Sequence, residues 1–407
     1  MSENIPGKFA TGILKSTLKT FLSYRSDIEV EINETENLKP PYIIVSNHVN
    51  NWDPILINLF IDPVISYVAS DRFFRNPFLK KVLEYTGAIP KTKFMADIST
   101  VKKIIKAKRN KRVIGIFPEG NRNWDGTTGE ILFSTAKLIK MLKIPVVAVN
   151  LKGFHLSQPR WANNHRRGKV LISFKKIMDK DVILSSSEEE IYGNLVKGLY
   201  HDEYEFQRNN RFKYSGKNLA ENLELLLFTC PHCKKIDTLK SKANEFYCKE
   251  CGYKMTYSQK GFFDSNSHSL VFDNPRDWNK WQLDNLESIL ISDDDPFSVK
   301  LSNKDASLYK FDNKKLKLLH EGDLSLDSKA MHFLNKHYDN TLFMIDKIQG
   351  LNVQSNNKIE FYYNNILYRI GFNQRLTSAY KWMKALEISK ANILSNNLKE
   401  KGKVAYE

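Results

Sequence analysis

Cysteines and long apolar runs are both scarce in this sequence of 407 residues. It has four cysteines, and nowhere do ~18 consecutive apolar residues occur, so no membrane-spanning helix is expected. Residues 2–30 carry charges throughout and contain no apolar core of a secretory signal peptide. All four cysteines belong to two Cys-x-x-Cys pairs, which favours a reducing compartment, here the cytoplasm, over a secreted disulfide framework.

Acidic residues are also in short supply relative to basic ones. The chain has 62 Lys and Arg against 46 Asp and Glu, a formal net charge of +16. Such an excess suits an anionic partner, which includes a bilayer surface, a nucleic acid or a phosphorylated substrate. The sequence lacks the clustered aromatic and basic strand motifs of RNA-binding domains, so nucleic acid is disfavoured as a partner.

Strand-like and helix-like segments alternate between residue 28 and about residue 200. This alternation predicts an α/β domain with a largely parallel sheet and flanking helices. In such sheets a functional site usually lies beyond the carboxyl ends of the strands. The predicted strands are 28–32, 42–46, 64–69, 112–117, 146–150 and 170–174, and the predicted helices are 53–60, 77–85, 96–109, 131–143 and 186–200.

A histidine and an aspartate follow the second predicted strand, in the segment SNHVNNWDP at 46–54. His48 and Asp53 would lie ~140° apart on one helix, so they pair only if His48 is in the loop and Asp53 begins the next helix. An imidazole held by a carboxylate has a fixed tautomer and a basic nitrogen that takes a proton from an alcohol. Two alternatives are a structural histidine and an Asp53 that only caps the helix before Pro54.

The segment FPEGNR at 117–122 follows another predicted strand. Gly120 permits close approach of the backbone to a ligand, and Arg122 offers a fork of donors that matches a phosphate. The alternative is a surface turn with ordinary charges.

Together these segments resemble the glycerol-phosphate and lysophosphatidic acid acyltransferase family. Four motifs match in order and spacing over roughly residues 40–155. They are Asn47-His48 through Asp53, Gly87-Ala88-Ile89 reaching Lys93 at the family's arginine position, Phe117 to Arg122 with Asn121 at its threonine position, and Ile144-Pro145 through Ala148.

The resemblance implies a role for each matched residue. His48 is expected to act as the general base on the acceptor hydroxyl, and Asp53 to orient it. Binding of the acceptor's glycerol and phosphate is expected of Lys93, Glu119, Gly120 and Arg122.

The resemblance also implies the two substrates. The donor is an acyl thioester of coenzyme A or acyl-carrier protein, and the expected acceptor is lysophosphatidic acid, which gives phosphatidic acid. Glycerol 3-phosphate or another lysolipid is the alternative acceptor. A non-catalytic adaptor, which binds lipid or nucleic acid through a basic surface and a zinc ribbon, is the alternative of another class.

The four cysteines form the pattern of a metal site. Cys230-Pro-His-Cys233 is followed, after fourteen residues, by Cys248-Lys-Glu-Cys251. Paired thiolates at this spacing predict a four-cysteine zinc ribbon, in which Zn²⁺ is structural and His232 is not a ligand. A thioredoxin-like redox motif and four uninvolved thiols are the alternatives.

Two segments are candidates for contact with a membrane. The helix predicted at the N-terminus is amphipathic, and the segment 71–85 mixes phenylalanines with basic residues. For each, the alternative is a helix packed on the core of its own domain. We expect peripheral association with an anionic membrane surface, on the cytoplasmic face.

Toward the C-terminus the periodicity changes to two, and a helix with Trp382 closes the pattern, which is similar to a pleckstrin-homology-like domain. The predicted organisation has seven segments. They are an amphipathic helix (1–23), an acyltransferase domain (24–205), a linker and helix (206–227, the helical pattern covering 218–228), a zinc ribbon (228–258), a helical connector (259–297), a pleckstrin-homology-like β domain (298–390) and a disordered tail (391–407).

Overall fold

The computed structural model describes residues 8–91, 97–265, 269–292, 298–312 and 315–404. Lys93, the predicted phosphate-binding lysine, lies outside these ranges, as do residues 1–7 of the predicted N-terminal helix. The chain forms two compact units, Met1–Leu219 with Ser258–Gly261, and Ala220–Tyr257 with Phe262–Glu407. The seven-segment division predicted from the sequence is finer than this and stays a prediction.

Among the described residues, seven strands of the first unit form one sheet in the order β1-β7-β6-β2-β5-β3-β4. Every pairing in it is parallel except that of β6 with β7. The prediction of a largely parallel α/β sheet is confirmed. The strands are β1 (Asp27–Asn33), β2 (Ile43–Ser46), β3 (Ser66–Ser70), β4 (Ile89–Lys91), β5 (Ile114–Ile116), β6 (Val146–Lys152) and β7 (Lys169–Met178).

Helices cover both faces of this sheet, because successive residues of its central strand are apolar and point in opposite directions. Ile43 and Val45 lie in one buried cluster, whereas Tyr42 and Ile44 lie in another. The helices of this unit are α1 (Lys8–Arg25), α2 (Asp53–Asn58), α3 (Pro77–Tyr85), α4 (Ile98–Arg109), α5 (Phe133–Leu142), α6 (Phe154–Ser157), α7 (Lys180–Ser185), α8 (Glu188–Leu199) and α9 (Glu203–Asn210). No helix in the described part of the chain is long and apolar enough to cross a bilayer.

The described residues of the second unit form two antiparallel sheets and two long helices. The first sheet consists of β8 (Leu239–Lys242), β9 (Glu245–Cys248), β10 (Lys254–Tyr257) and β11 (Phe263–Asp264). Helix α10 (Pro275–Ile291) precedes the second sheet, and α11 (Ala379–Val404) follows it. This β-rich region with a C-terminal helix agrees with the predicted fold class. Its strands are β12 (Leu301–Asp312), β13 (Lys315–Leu326), β14 (Ala330–Asn335), β15 (Asn340–Met344), β16 (Gln349–Gln354), β17 (Lys358–Tyr363) and β18 (Ile366–Phe372).

The helix predicted over 218–228 is wrong. The structure has only a 3₁₀ turn there, Leu223–Leu225. Asn218 and Asn222 adopt positive φ angles of 52° and 70°, which interrupt an α-helix. The apolar side chains of this segment are all buried, rather than only those on one face, so their spacing wrongly suggested an amphipathic helix. They are Leu219, Leu223, Leu225, Leu226, Leu227 and Phe228.

The predicted disordered tail is also wrong as far as Val404, because α11 continues through that residue. The helix begins with buried residues, among them Trp382 and Leu386. Once a helix is started, each further residue adds a hydrogen bond without a new nucleation cost, so a polar continuation remains helical.

Candidate active site

The two motifs that carry the predicted chemistry meet at one edge of the sheet. The His48 segment follows β2, and the Glu119 segment follows β5. These strands are parallel neighbours, with Val45 paired to Ile116, so their carboxyl ends lie side by side. The topology therefore brings both segments to the place where α/β proteins usually carry a site.

A fully buried carboxylate organises the His48 segment. Nδ1 of His48 lies 2.7 Å from Oδ2 of Asp53, and the Asp53 side chain has no exposed surface. The same carboxylate accepts the backbone N–H groups of Val49 at 2.7 Å and Asn50 at 3.0 Å. Because the carboxylate accepts at Nδ1, the imidazole tautomer that carries its proton there is favoured.

The interpretation of Asp53 as only a helix cap is wrong. Asp53 is the first residue of α2, Trp52 occupies the N-cap position, and no side-chain bond caps this helix. The Asp53 carboxylate points back to the preceding loop instead, which is the geometry that pairing with His48 requires.

Glu119 ties the two segments together. Its Oε1 accepts the backbone N–H of His48 at 2.6 Å, and its Oε2 accepts that of Gly129 at 2.7 Å. The backbone carbonyl of His48 in turn accepts the N–H of Asn123 at 2.8 Å. Burial raises the pKa of Glu119 to about 8. Glu119 thus holds the His48 loop from the side of the neighbouring strand, while its predicted contact with an acceptor stays a prediction.

Gly120 lies in the turn that precedes Arg122. Its φ of 69° lies in the left-handed region, which favours glycine, and its N–H donates to the carbonyl of Phe117 at 3.1 Å. The carbonyl of Arg122 accepts a bond of 2.7 Å from Nη1 of Arg160, which holds the chain beyond the turn.

The Arg122 guanidinium is largely buried, and burial lowers its pKa from the usual 12.5. The carboxylate of Asp53 opposes this shift, and the positive charge of Arg72 adds to it. Within the ranges that the structure describes, no hydrogen bond or ion pair to this guanidinium is found. A desolvated cation without a partner is costly, so the position suits an anionic ligand.

Comparison with known proteins points in the same direction. A sequence model of the family described as "Acyltransferase" matches residues 27–152, a range that includes all four motifs. Residues 27–152 therefore carry an acyltransferase domain.

Three curated relatives carry the name 1-acyl-sn-glycerol-3-phosphate acyltransferase. The Saccharomyces cerevisiae protein is 29% identical over 128 residues, which cover 30% of this chain and 42% of that protein. The Borreliella burgdorferi protein is 30% identical over 154 residues, 35% of this chain and 60% of that protein. The Bacillus subtilis protein is 26% identical over 139 residues, 34% and 69% respectively. The chain thus spans well under two thirds of the yeast relative.

A solved structure is also similar, that of the 1-acyl-sn-glycerophosphate acyltransferase PlsC from Thermotoga maritima. The match has a TM-score of 0.41 and 20% identity, and it covers 47% of this chain and 78% of that one.

The structure also places residues at this site for which the sequence predicted no role. Asn47, although part of the first motif, had no predicted role. Its side chain accepts the N–H of Leu151 at 2.9 Å and donates to the Leu151 carbonyl at 3.1 Å, so it fixes the loop to β6. The His48 ring stacks on Phe117, with ring centroids 4.3 Å apart, and Phe117 stacks on Tyr67 at 5.6 Å. No local pattern marks Tyr67, because its contact depends on the pairing of β3 with β5.

The four cysteines converge in the second unit. Their sulfur atoms all lie within 4.8 Å of one another, and two of the pairs, Cys230 with Cys251 and Cys233 with Cys248, are 3.7 Å apart. A tetrahedron with metal–sulfur distances of ~2.3 Å has edges of ~3.8 Å, so the cluster fits a four-thiolate metal ion. His232 stacks on Tyr253 instead, with parallel rings 5.8 Å apart.

The role of Glu119 as a brace is testable by Glu119→Gln. The variant amide cannot accept both backbone N–H groups, so the free energy of unfolding should fall by about 1–3 kcal/mol. Urea denaturation measures this change, and Glu130→Gln, an exposed residue of the same loop, should leave stability unchanged.

The natural protein and Glu119→Gln also test the raised pKa of the Glu119 carboxyl, through the pH dependence of their stabilities. The folded protein holds the Glu119 proton with a pKa of about 8, against an ordinary 4.5. This contribution to stability is complete below pH 4.5 and is lost as the pH rises through 8. The stability difference between the natural protein and Glu119→Gln should therefore narrow over that interval. A constant difference would contradict the raised pKa.

Proposed function

We propose that this protein transfers a fatty acyl group from an acyl thioester of coenzyme A or acyl-carrier protein to the free hydroxyl of lysophosphatidic acid, forming phosphatidic acid. The observation that carries the proposal is the His48–Asp53 pair at the same sheet edge as the largely buried guanidinium of Arg122. The names of the three curated relatives support the choice of acceptor.

In the proposed mechanism His48 is the general base. Asp53 holds Nδ1, and Nε2 removes the proton from the acceptor hydroxyl as its oxygen attacks the thioester carbonyl. The new carbon–oxygen bond forms, the carbon–sulfur bond breaks, and the imidazolium returns the proton to the leaving thiolate. Asp53 stabilises the imidazolium between these two steps, and no enzyme-bound acyl intermediate is needed.

Acceptor recognition in this proposal depends on positive charge beside the base. Arg122 binds the phosphate, Gly120 lets the ligand approach the backbone, and Lys93 adds charge. Because glycerol 3-phosphate and other lysolipids present the same phosphate, they are the alternative acceptors. An adaptor without activity needs no oriented His48, so the buried pair favours an enzyme over that alternative.

A structural zinc ion completes the proposal. Zn²⁺ would be held by Cys230, Cys233, Cys248 and Cys251, whose separations suit tetrahedral coordination. Four protein ligands leave no open position, so the ion would stabilise the ribbon and take no part in acyl transfer. The proposed place of work is the cytoplasmic face of a membrane with anionic lipids, which the lipid acceptor and the net charge of +16 support.

Removing the base tests the mechanism. His48→Ala should lower kcat by ~10²–10⁴-fold while the fold is retained. Asp53→Asn should lower kcat and also stability, because its carboxylate holds backbone groups as well as the imidazole. The control is Asp97→Asn, since Asp97 caps α4 through the N–H groups of Ser99 and Thr100. Unchanged turnover in His48→Ala would refute the mechanism.

Replacing the buried cation tests acceptor recognition. Arg122→Ala should raise KM for lysophosphatidic acid by roughly 10- to 100-fold, because a charge-assisted fork to the phosphate is lost. KM for the acyl donor should change much less. Steady-state kinetics with each substrate varied in turn measure both, with the exposed Arg109→Ala as a control. Equal effects on the two substrates would indicate a structural arginine.

Metal analysis tests the ribbon. The protein should contain about one zinc ion per chain, and Cys233→Ser should lower that content, whereas His232→Ala should leave it unchanged. Removal of zinc should unfold the ribbon locally, which limited proteolysis detects, because the binding energy of a small metal site is folding energy. Metal-free protein with an intact ribbon would contradict the assignment.

A further inference from the structure

Helix α3 presents an apolar surface that the first unit does not use. None of its residues is buried. Phe78 is 77% exposed, Val82 43% and Tyr85 49%. Their spacing of four and three residues places them on one side of the helix, and we call these three residues the α3 stripe. Isolated exposed apolar residues are ordinary on protein surfaces, whereas an aligned set on a helix without buried residues indicates a partner.

The helix itself is well formed at this position. The Asn76 side chain accepts the N–H groups of Phe78 and Leu79, both at 3.0 Å, and Pro77 occupies the first turn. The stripe is therefore held by local capping rather than by burial. Substitution of its exposed residues should leave the fold intact.

Basic residues surround the stripe. Arg75, Lys80 and Lys81 are exposed on or beside α3. Lys80 lies 3.8 Å from Glu84 and Arg75 3.2 Å from Asp71, which are exposed pairs of little strength, and Lys81 adds a further positive charge. An apolar stripe of aromatic side chains with flanking cations is the pattern of a helix that lies in a bilayer interface.

The other candidate, α1, is partly engaged with the first unit. Leu22 is buried, the Phe21 ring lies 5.4 Å from that of Trp52, and Lys15 binds the carbonyl of Ile61. These contacts favour packing on the domain for α1 from Lys15 onward. Among the residues that the structure describes, no comparable ring contact or hydrogen bond is found for the side chains of the α3 stripe.

The stripe also begins close to the active site. Helix α3 follows the 3₁₀ turn Asp71–Arg75, whose Arg72 acts electrostatically on the Arg122 guanidinium. The N-terminal end of α3 therefore follows a segment that lies within electrostatic reach of Arg122.

We propose that Phe78, Val82 and Tyr85 insert into the headgroup region of an anionic bilayer and hold the active site at its surface. The proposal rests on the proposed function only in taking a bilayer lipid as the source of the acceptor. A bilayer fits better than an acidic carrier protein, because Phe78 and Val82 gain little from an acidic helix, whereas both apolar insertion and charge attraction are satisfied by lipid.

Co-sedimentation of the full-length protein with vesicles of phosphatidylcholine and phosphatidylglycerol tests the proposal. The double variant Phe78→Ser with Val82→Ser should partition about tenfold or more weakly, at low and at high salt. Val82→Trp should bind more tightly, since Trp favours the interface. The matched control is Val182→Ser with Leu184→Ser, two residues 43% and 45% exposed on α7, which should bind as the natural protein does.

Two further readouts separate the possible failures. Lys80→Glu with Lys81→Glu should weaken binding at low salt only, because charge attraction is screened. Acyl transfer to a short-chain, monomeric lysophosphatidic acid should be unchanged in the Phe78/Val82 double variant. If neither the natural protein nor any variant transfers an acyl group to this acceptor, the proposed function is rejected, but the vesicle-binding result still tests the α3 stripe. Equal binding of the stripe and control variants would overturn the proposal. The proposal would also be overturned if the Phe78/Val82 double variant no longer bound purified acyl-carrier protein but still bound vesicles as the natural protein does.

Discussion

The site depends first on the Asp53 carboxylate and the three groups that donate to it. Oxygen atoms of Asp53 accept from Nδ1 of His48 and from the backbone N–H groups of Val49 and Asn50. A carboxylate without exposed surface is tolerated only when its oxygens are hydrogen-bonded, and the loop after β2 provides those bonds. The same contacts that compensate the burial of Asp53 therefore orient the imidazole, so that folding of the loop also fixes the orientation of the His48 ring.

A second buried carboxyl group, that of Glu119, extends this arrangement to the neighbouring strand. Glu119 binds the N–H of His48 on one side and that of Gly129 on the other, and Asn123 donates to the His48 carbonyl. Both backbone groups of His48 are thereby occupied by the segment that carries Arg122. The loop of the proposed base and the segment of the proposed phosphate-binding arginine are thus held by a common set of bonds, which would couple acceptor binding to the geometry of proton transfer in the proposed reaction.

The sequence predicted most of what depends on local pattern. The alternation of strands and helices, the convergence of two motifs at adjacent strand ends, and the loop-to-helix placement of His48 and Asp53 follow from periodicity and helix geometry. The inward orientation of Glu119 and the stacking of Tyr67 depend on tertiary contacts, which no spacing rule supplies. The leucines of 218–228 mimicked a helix because burial on all sides also produces a dense apolar run. The helical continuation after residue 391 was missed since its composition alone resembles a solvated tail.

We propose that Asp53 holds the proton of His48 on Nδ1, so that Nε2 carries the lone pair that removes the proton of the acceptor hydroxyl. Nitrogen-15 NMR of histidine-labelled protein near pH 8 tests this most directly, with His48→Gln to assign the signal among nine histidines. The account predicts a neutral ring with the proton on Nδ1, a downfield Nδ1–H resonance, and loss of that resonance in Asp53→Asn. A His48 ring with its proton on Nε2, unaffected by Asp53→Asn, would contradict it.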